Sequence, residues 1–247
     1  MLEGGQLRTP ARVLLVLDQP ILAEVVKLAL SHGLFTVDVV GAPDALARFH
    51  HWRPHLVILD IDLEDGKFLR QVIESGRTGT ATPVIALTRR GDLKRKLAAF
   101  EAGVDDIMTV PFPPEELVAR TLALMRRSYR ESITFTPTIT MGDLEIDILN
   151  RRVRAGHSEL HLTGLEQSLL YLLAANAGRV LSRNEILDAL WGVDYIADSN
   201  VVDRHIRNLR AKLQNDWRRP RYIATVPERG YRFIPTDTDE GTAPSAP

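Results

Sequence analysis

The strongest constraint in this sequence is an alternation that runs through its first half. Apolar runs of strand length, Arg12–Leu17, Thr36–Val40, His55–Asp60, Pro83–Thr88 and Asp106–Val110, alternate with segments of helical spacing. The helical segments are Ile21–Ser31, Asp44–Trp52, Lys67–Ser75, Leu93–Ala102 and Pro114–Arg127. In the fourth of these, Leu93, Leu97 and Phe100 recur at i, i+4 and i+7. Continuous apolar strands are buried on both faces, and a parallel sheet covered by helices on both sides achieves that. Five such units in about 125 residues predict a compact doubly wound α/β domain with a five-stranded parallel sheet.

The pattern changes after a polar stretch, Ser128–Pro137, that reads as a linker. Ile139–Asp147, Arg151–Ala155 and Glu159–Leu162 read as short strands of a meander, with turns at Asn150 and Gly156. Three helices follow. Thr163-Gly-Leu-Glu166 and Ser182-Arg-Asn-Glu185 match the capping-box pattern and place two helix starts. The third helix starts near Asp198 or Ser199 and runs to about Leu213. Arg221–Val226 and Tyr231–Ile234, joined by a turn at Pro227–Gly230, form a terminal hairpin. Three helices and a hairpin predict a winged helix-turn-helix of α+β class. The expected division is a tail over 1–10, a domain over 11–127, a linker over 128–138, a second domain over 139–235 and a disordered acidic tail over 236–247.

Composition narrows the function. The 247 residues contain no cysteine, which excludes disulfides, a thiol nucleophile and Cys-ligated metal. No apolar run reaches bilayer length and no signal-peptide core is visible, so a cytoplasmic protein without membrane contact is expected. The formal net charge of −1 argues against nucleic acid only if charge is spread evenly. It is not. Residues 1–127 hold 16 basic and 16 acidic side chains, whereas residues 204–232 hold nine basic and two acidic. That segment is either a solvated basic helix or a surface facing phosphates.

Two of the apolar strands end in carboxylates. Asp18 follows Val13–Leu17, Asp60 follows His55–Leu59, and Asp62 lies two residues on. In a doubly wound sheet ligands bind at these carboxyl ends, and grouped carboxylates can hold a hard ion such as Mg²⁺. Thr88, ending the fourth strand, can hydrogen-bond an oxyanion. Acids at strand ends also cap following helices.

The stretches Arg12-Val-Leu-Leu-Val-Leu-Asp18, Pro54-His-Leu-Val-Ile-Leu-Asp60, Pro83-Val-Ile-Ala-Leu-Thr88, Glu101-Ala-Gly-Val-Asp-Asp106 and Pro111-Phe112 resemble the receiver domain of a two-component response regulator. With the second half, the chain resembles the OmpR/PhoB type from about residue 11 to 235. The resemblance implies a flavodoxin-like receiver in which Asp60 is the phosphoacceptor. It makes Asp18, Asp60 and the Asp62 carbonyl the Mg²⁺ ligands and Thr88 the switch hydroxyl. It further implies a sensor histidine kinase, RNA polymerase, double-stranded DNA and a second copy of the chain as partners.

The departures from the family pattern are equally specific. Leu17 replaces the first acid of the acidic pair, Val110 replaces the Lys before Pro-Phe, and Ile107 replaces the switch aromatic. Glu64 and Phe68 replace the usual Pro and Gly after the phosphoacceptor. Cations offset the phosphoryl oxygens during transfer, so losing the Lys damages the chemistry, and losing the aromatic damages its readout. Arg89, after Thr88, either folds over Asp60 and Asp62 as a plug that replaces the cation or points to solvent. This pattern predicts a receiver that does not rely on ordinary phosphorylation, the alternative being a conventional one phosphorylated on Asp60.

By resemblance, the dimerisation face pairs Lys96 with Glu116 and Asp106 with Arg120. Such pairs set register and partner choice more than affinity. In the third helix of the second half, Val202, Ile206, Leu209 and Leu213 form a core stripe. Arg204, Arg207 and Asn208 then point outward, with chemistry suited to guanine and adenine edges, and Arg210 and Lys212 are better placed for phosphates. Val202-Asp-Arg-His-Ile-Arg-Asn-Leu-Arg210 resembles the family's recognition helix. By that resemblance His205, Trp191, Thr225 and Tyr231 contact the DNA backbone, although His205 also fits a boundary position and Trp191 a core one. Pro227 and Glu228 stand at the wing tip where Arg-Gly is common, and Arg229 lies two positions later as the candidate for the minor groove. A metal-dependent phosphohydrolase using Asp18, Asp60 and Asp62 is a third reading. The adjoining basic winged helix and the lack of His or Lys at the site argue against it, so a non-enzymatic DNA-binding regulator is expected.

Overall fold

A computed structural model describes residues 10–30, 35–61, 67–76, 82–88, 93–129, 138–148, 150–192, 200–213, 216 and 218–235. The chain divides into two compact units, one of residues 1–137 together with 187–195 and the other of residues 138–186 and 196–247.

The first unit alternates strands and helices in chain order. These are β1 (Ala11–Val16), α1 (Pro20–Leu30), β2 (Phe35–Val40), α2 (Ala42–Trp52) and β3 (Leu56–Asp60). They are followed by α3 (Lys67–Gly76), β4 (Val84–Thr88), α4 (Leu93–Ala102), β5 (Asp106–Thr109) and α5 (Pro114–Tyr129). All strand pairs are parallel and the sheet order is β2-β1-β3-β4-β5, the flavodoxin-like order. β3 and β4 are buried at every position, which is why both read as unbroken apolar runs. On one face Phe49 of α2, Phe68 and Val72 of α3 and Ala99 of α4 close over Leu14, Val57 and Leu59. The other face is covered by α1 and α5, which pack together.

Local chemistry sets the helix ends. α2 opens with Pro43 in its first turn and closes on Arg53, whose φ of 48° puts it in the left-handed region, with its N–H donating to the Phe49 carbonyl. α5 runs two residues beyond the expected Arg127. Its last residue, Tyr129, donates from its hydroxyl to the His55 carbonyl at 2.8 Å and meets the His55 ring edge-on. Burial raises the Tyr129 pKa to about 12, so the hydroxyl stays a donor.

The second unit begins with an antiparallel sheet, β6 (Thr138–Met141), β7 (Leu144–Asp147), β8 (Arg152–Ala155) and β9 (Ser158–Leu160), in that order. The single strand expected over Ile139–Asp147 is therefore two. Gly142, at φ 61°, and Asp143 turn the chain so that Met141 pairs with Leu144. The parity of the buried residues carries the reason: Ile139 is odd, Leu144 and Ile146 are even, and one strand cannot bury both on one face.

Next come α6 (Gly164–Ala175), β10 (Val180–Leu181), α7 (Arg183–Trp191), α8 (Val201–Lys212), β11 (Ile223–Val226) and β12 (Gly230–Phe233). Both capping boxes form. Thr163 and Glu166 bond reciprocally, and so do Ser182 and Glu185. The expected start of the third helix at Asp198 or Ser199 lies outside the described residues; α8 begins at Val201 after Asn200. The terminal hairpin is part of a three-stranded antiparallel sheet of order β10-β12-β11. β10 has two residues, too short for any periodicity to announce it.

Candidate functional site

In the first unit the carboxyl ends of β1, β3 and β4 lie side by side. Val16 pairs with Leu59 and Asp60 with Leu87, so Asp18, Asp60 and Thr88 end neighbouring strands where the strand order reverses. Asp60 is 5% exposed and Thr88 is buried, whereas Asp18 is exposed. Backbone bonds from Ile61 N to the Leu87 carbonyl and from Val110 N to the Thr88 carbonyl tie the ends together. Asp62 and Arg89 lie outside the described residues.

Four of the five positions that depart from the family pattern are packed, and the fifth, Glu64, lies outside the described residues. Leu17 is buried, and Val110 is only 8% exposed. Phe68 is buried in the core cluster and Ile107 packs against it. Among the described residues no group of three His, Asp or Glu side chains gathers into a metal cluster. The two carboxylates Asp18 and Asp60 still fit Mg²⁺, which keeps several waters and takes one or two carboxylates.

On the α4, β5 and α5 side, Arg120 binds two acids of its own chain. Its Nη1 lies 3.0 and 2.9 Å from the Asp106 carboxylate and its Nε 2.8 Å from Glu116. The hydrogen bonds to Asp106 and then Glu116 raise the guanidinium pKa further. Lys96 donates to the Thr109 hydroxyl at 2.7 Å. Beside these charges runs a stripe that the helical spacing had only located. Leu93, Leu97 and Phe100 are 67%, 53% and 47% exposed, and α4 meets the core through Ala99.

In the second unit α8 divides as its spacing predicts. Val201, Val202, Ile206 and Leu209 face inward, and Arg204, Arg207 and Asn208 are exposed together. His205 is half-buried, and burial, aided by Arg204, lowers its pKa, which favours the neutral ring. Trp191, half-buried, ends α7. Arg229 is exposed in the turn after β11, where Glu228 adopts a left-handed φ of 61°.

Arg210 and Tyr231 turn inward. Arg210 donates from Nε and Nη2 to the Ile223 carbonyl, at 3.2 and 2.9 Å, and from Nη2 to the exposed Thr225 hydroxyl at 2.9 Å. Tyr231 is buried and its hydroxyl donates to Asp203 at 2.6 Å. Arg183 donates from Nε to the same Asp203 oxygen at 2.8 Å. Burial pushes the Asp203 carboxyl pKa up, but the bonds from Tyr231 and Arg183 outweigh it and the net shift is downward. Burial, then the bond to Asp203, raises the Tyr231 pKa to about 12. Sequence reasoning missed Arg183 and Asp203, because their partners lie 20 and 28 residues away.

Two family models match this arrangement, a response regulator receiver domain over residues 13–122 and the C-terminal domain of transcriptional regulatory proteins over residues 157–233. The transcriptional regulatory protein TrcR of Mycobacterium tuberculosis is 37% identical over 233 residues, spanning 93% of this chain and 89% of that protein. The DNA-binding response regulator MtrA of Mycolicibacterium smegmatis is 34% identical over 225 residues, spanning 91% and 97%. This chain is an OmpR/PhoB-type response regulator. Response regulator DrrB of Thermotoga maritima, a solved OmpR/PhoB homologue, is 31% identical over 92% of this chain and 100% of its own, with a TM-score of 0.40. As a member of this family the chain is a DNA-binding transcription regulator with a receiver and a winged helix. Among the described residues no helix is long and apolar enough to cross a membrane.

Proposed function

We propose that this response regulator controls transcription as a homodimer whose receiver does not depend on ordinary phosphorylation. The observation that carries this reading is the buried Val110 at the position of the family's Lys. A packed aliphatic side chain offers no charge to the phosphoryl oxygens, and such transfer relies on cations placed against those oxygens. Ile107, packed against the core cluster, adds support, since it provides no aromatic ring to swing inward with Thr88.

The α4, β5 and α5 side is the proposed dimer face. Leu93, Leu97 and Phe100 form its apolar centre, and Lys96, Asp106, Glu116 and Arg120 set its register. In the DNA-binding half, Arg204, Arg207 and Asn208 read base edges in the major groove, and Arg229 enters the minor groove. His205, Trp191 and Thr225 lie against the backbone, and the DNA-bound dimer recruits RNA polymerase.

A second reading draws on the grouping of Asp18, Asp60 and Thr88 at adjacent strand ends. Here a histidine kinase phosphorylates Asp60, and Asp18 and Asp60 would hold Mg²⁺, which supplies the neutralising charge. Incubation with acetyl phosphate and Mg²⁺, followed by intact-mass measurement, separates the two. The expected result is an unmodified chain with unchanged DNA affinity. A stoichiometric mass shift that is absent in Asp60→Ala and accompanied by tighter DNA binding would establish the second reading instead.

A further inference from the structure

Two side chains of the recognition helix α8, Asp203 and Arg210, bond to the wing. They are seven residues apart, two helical turns and roughly 10 Å along one face. Asp203 accepts from Tyr231 of β12 and from Arg183 at the start of α7. Arg210 donates to the Ile223 carbonyl and Thr225 hydroxyl of β11. The Tyr231 ring links the two points, since the Arg183 and Arg210 guanidinium carbons lie 5.1 and 5.5 Å from its centroid.

The Ile223 carbonyl explains why an arginine is needed. β11 ends the β10-β12-β11 sheet. Ile234 N donates to the Tyr222 carbonyl, and Ile223 stands opposite Phe233. In an antiparallel ladder, bonded and non-bonded pairs alternate, so the Ile223 carbonyl points to the outer edge of the sheet. Arg210 occupies that edge as a neighbouring strand would, and its fork reaches a carbonyl and a hydroxyl two residues apart together. A lysine ammonium cannot reproduce this geometry. Half-buried and turned to the wing, Arg210 is poorly placed to act as a free cation at a phosphate.

We propose that Asp203 and Arg210 are positioning residues that clamp the wing to the recognition helix at two points. The base-reading face of α8 and the wing-tip Arg229 thereby meet DNA as one preset surface. One attachment would leave the wing free to pivot, whereas two along the helix fix its angle. Arg229 lies three residues beyond the end of β11, so movement of β11 against α8 displaces it directly. Presetting this geometry removes an ordering cost from DNA binding. The proposal rests on the reading that α8 and Arg229 both face DNA.

The test uses the full chain and a duplex selected by the wild-type protein from a random-sequence pool. Dissociation constants are measured over a salt series for Arg210→Lys, Arg210→Ala and Asp203→Asn, each alone and with Arg229→Ala. Hydrogen exchange of β11 and β12 amides is followed in the free chains. Arg210→Lys should weaken binding about as much as Arg210→Ala, on the order of tenfold, with an unchanged salt slope. Arg229→Ala should cost several-fold in the wild type and almost nothing after Arg210→Ala. Exchange in the wing should quicken while that in α6 stays constant.

Full rescue by lysine, with Arg210→Ala flattening the slope by about one, would make Arg210 a phosphate contact and overturn the proposal. Unchanged wing exchange in Arg210→Lys would overturn it as well. If Arg210→Ala unfolds, Arg210→Lys carries the same affinity comparison, and wing exchange in free Thr225→Val, which lacks one exposed acceptor, should quicken as well. If the wild type selects no duplex, the DNA-facing reading fails separately, while the exchange measurement still decides whether the clamp exists.

Discussion

Gly230 shows how one residue can decide the wing. Its φ is +139°, and a Cβ there would lie 2.0 Å from the Leu181 carbonyl oxygen of β10. Neither strand can yield without breaking the pairing of Leu181 with Tyr231. Gly230→Ala should therefore lower stability by about 3 kcal/mol, combining overpacking with backbone strain. Thermal unfolding of the full chain measures this, and an unshifted transition would show that β10 and β12 separate freely. The motif Gly230-Tyr-Arg-Phe233 was legible in the sequence, but its reason was not, because the strand that approaches Gly230 has only two residues. The same holds for Tyr231. Its aromatic ring and place in the hairpin could be read, whereas its commitment to Asp203 depends on a contact across 28 residues. In the receiver, by contrast, Asp18, Asp60 and Thr88 could be grouped from sequence, since each follows an apolar run and parallel strands bring such ends together.

At the scale of elements, most of the fold was written in local signals. Buried parallel strands leave unbroken apolar runs, and helix starts leave capping boxes. The misreading of Ile139–Asp147 arose where two short strands of similar composition are joined by only Gly142 and Asp143. The caps themselves are testable through pH. The Ser182 backbone N–H, then the Ser182 hydroxyl contact and Arg179, hold Glu185 below its ordinary value of 4.5. A depressed carboxylate contributes stability that is complete above the unfolded value and disappears as pH falls through the folded one. Glu185→Gln keeps an acceptor for the Ser182 N–H but loses the charge, and should thus cost about 0.3–1 kcal/mol at neutral pH, the usual magnitude of a carboxylate at a helix N-terminus. The gap between wild type and variant should close as pH falls below 4.5. Chemical denaturation across this range tests the assignment, and a gap that persists at low pH would mean that Glu185 acts by packing alone.

For the whole molecule, the formal charge of −1 conceals a segment near +7 over residues 204–232, where nine basic side chains face two acidic ones. A single winged helix with that charge neutralises a limited number of phosphates, and joining two copies doubles the number without changing either surface. The exposed Leu93, Leu97 and Phe100 offer the apolar contact that could join them. Whether α4 carried a buried or an exposed stripe was not legible in its spacing, because i, i+4, i+7 describes any apolar helix face and only packing selects Ala99 for the core. If this face holds the dimer, Leu97→Lys should place a charge in its centre and leave a monomer. Sedimentation should show association of the wild type at micromolar concentration and none for the variant. The same variant should bind the selected duplex with about half the wild-type salt slope, because one basic surface now releases counterions instead of two. An unchanged slope together with a monomeric wild type would mean that each copy binds DNA alone and that the apolar stripe serves another contact.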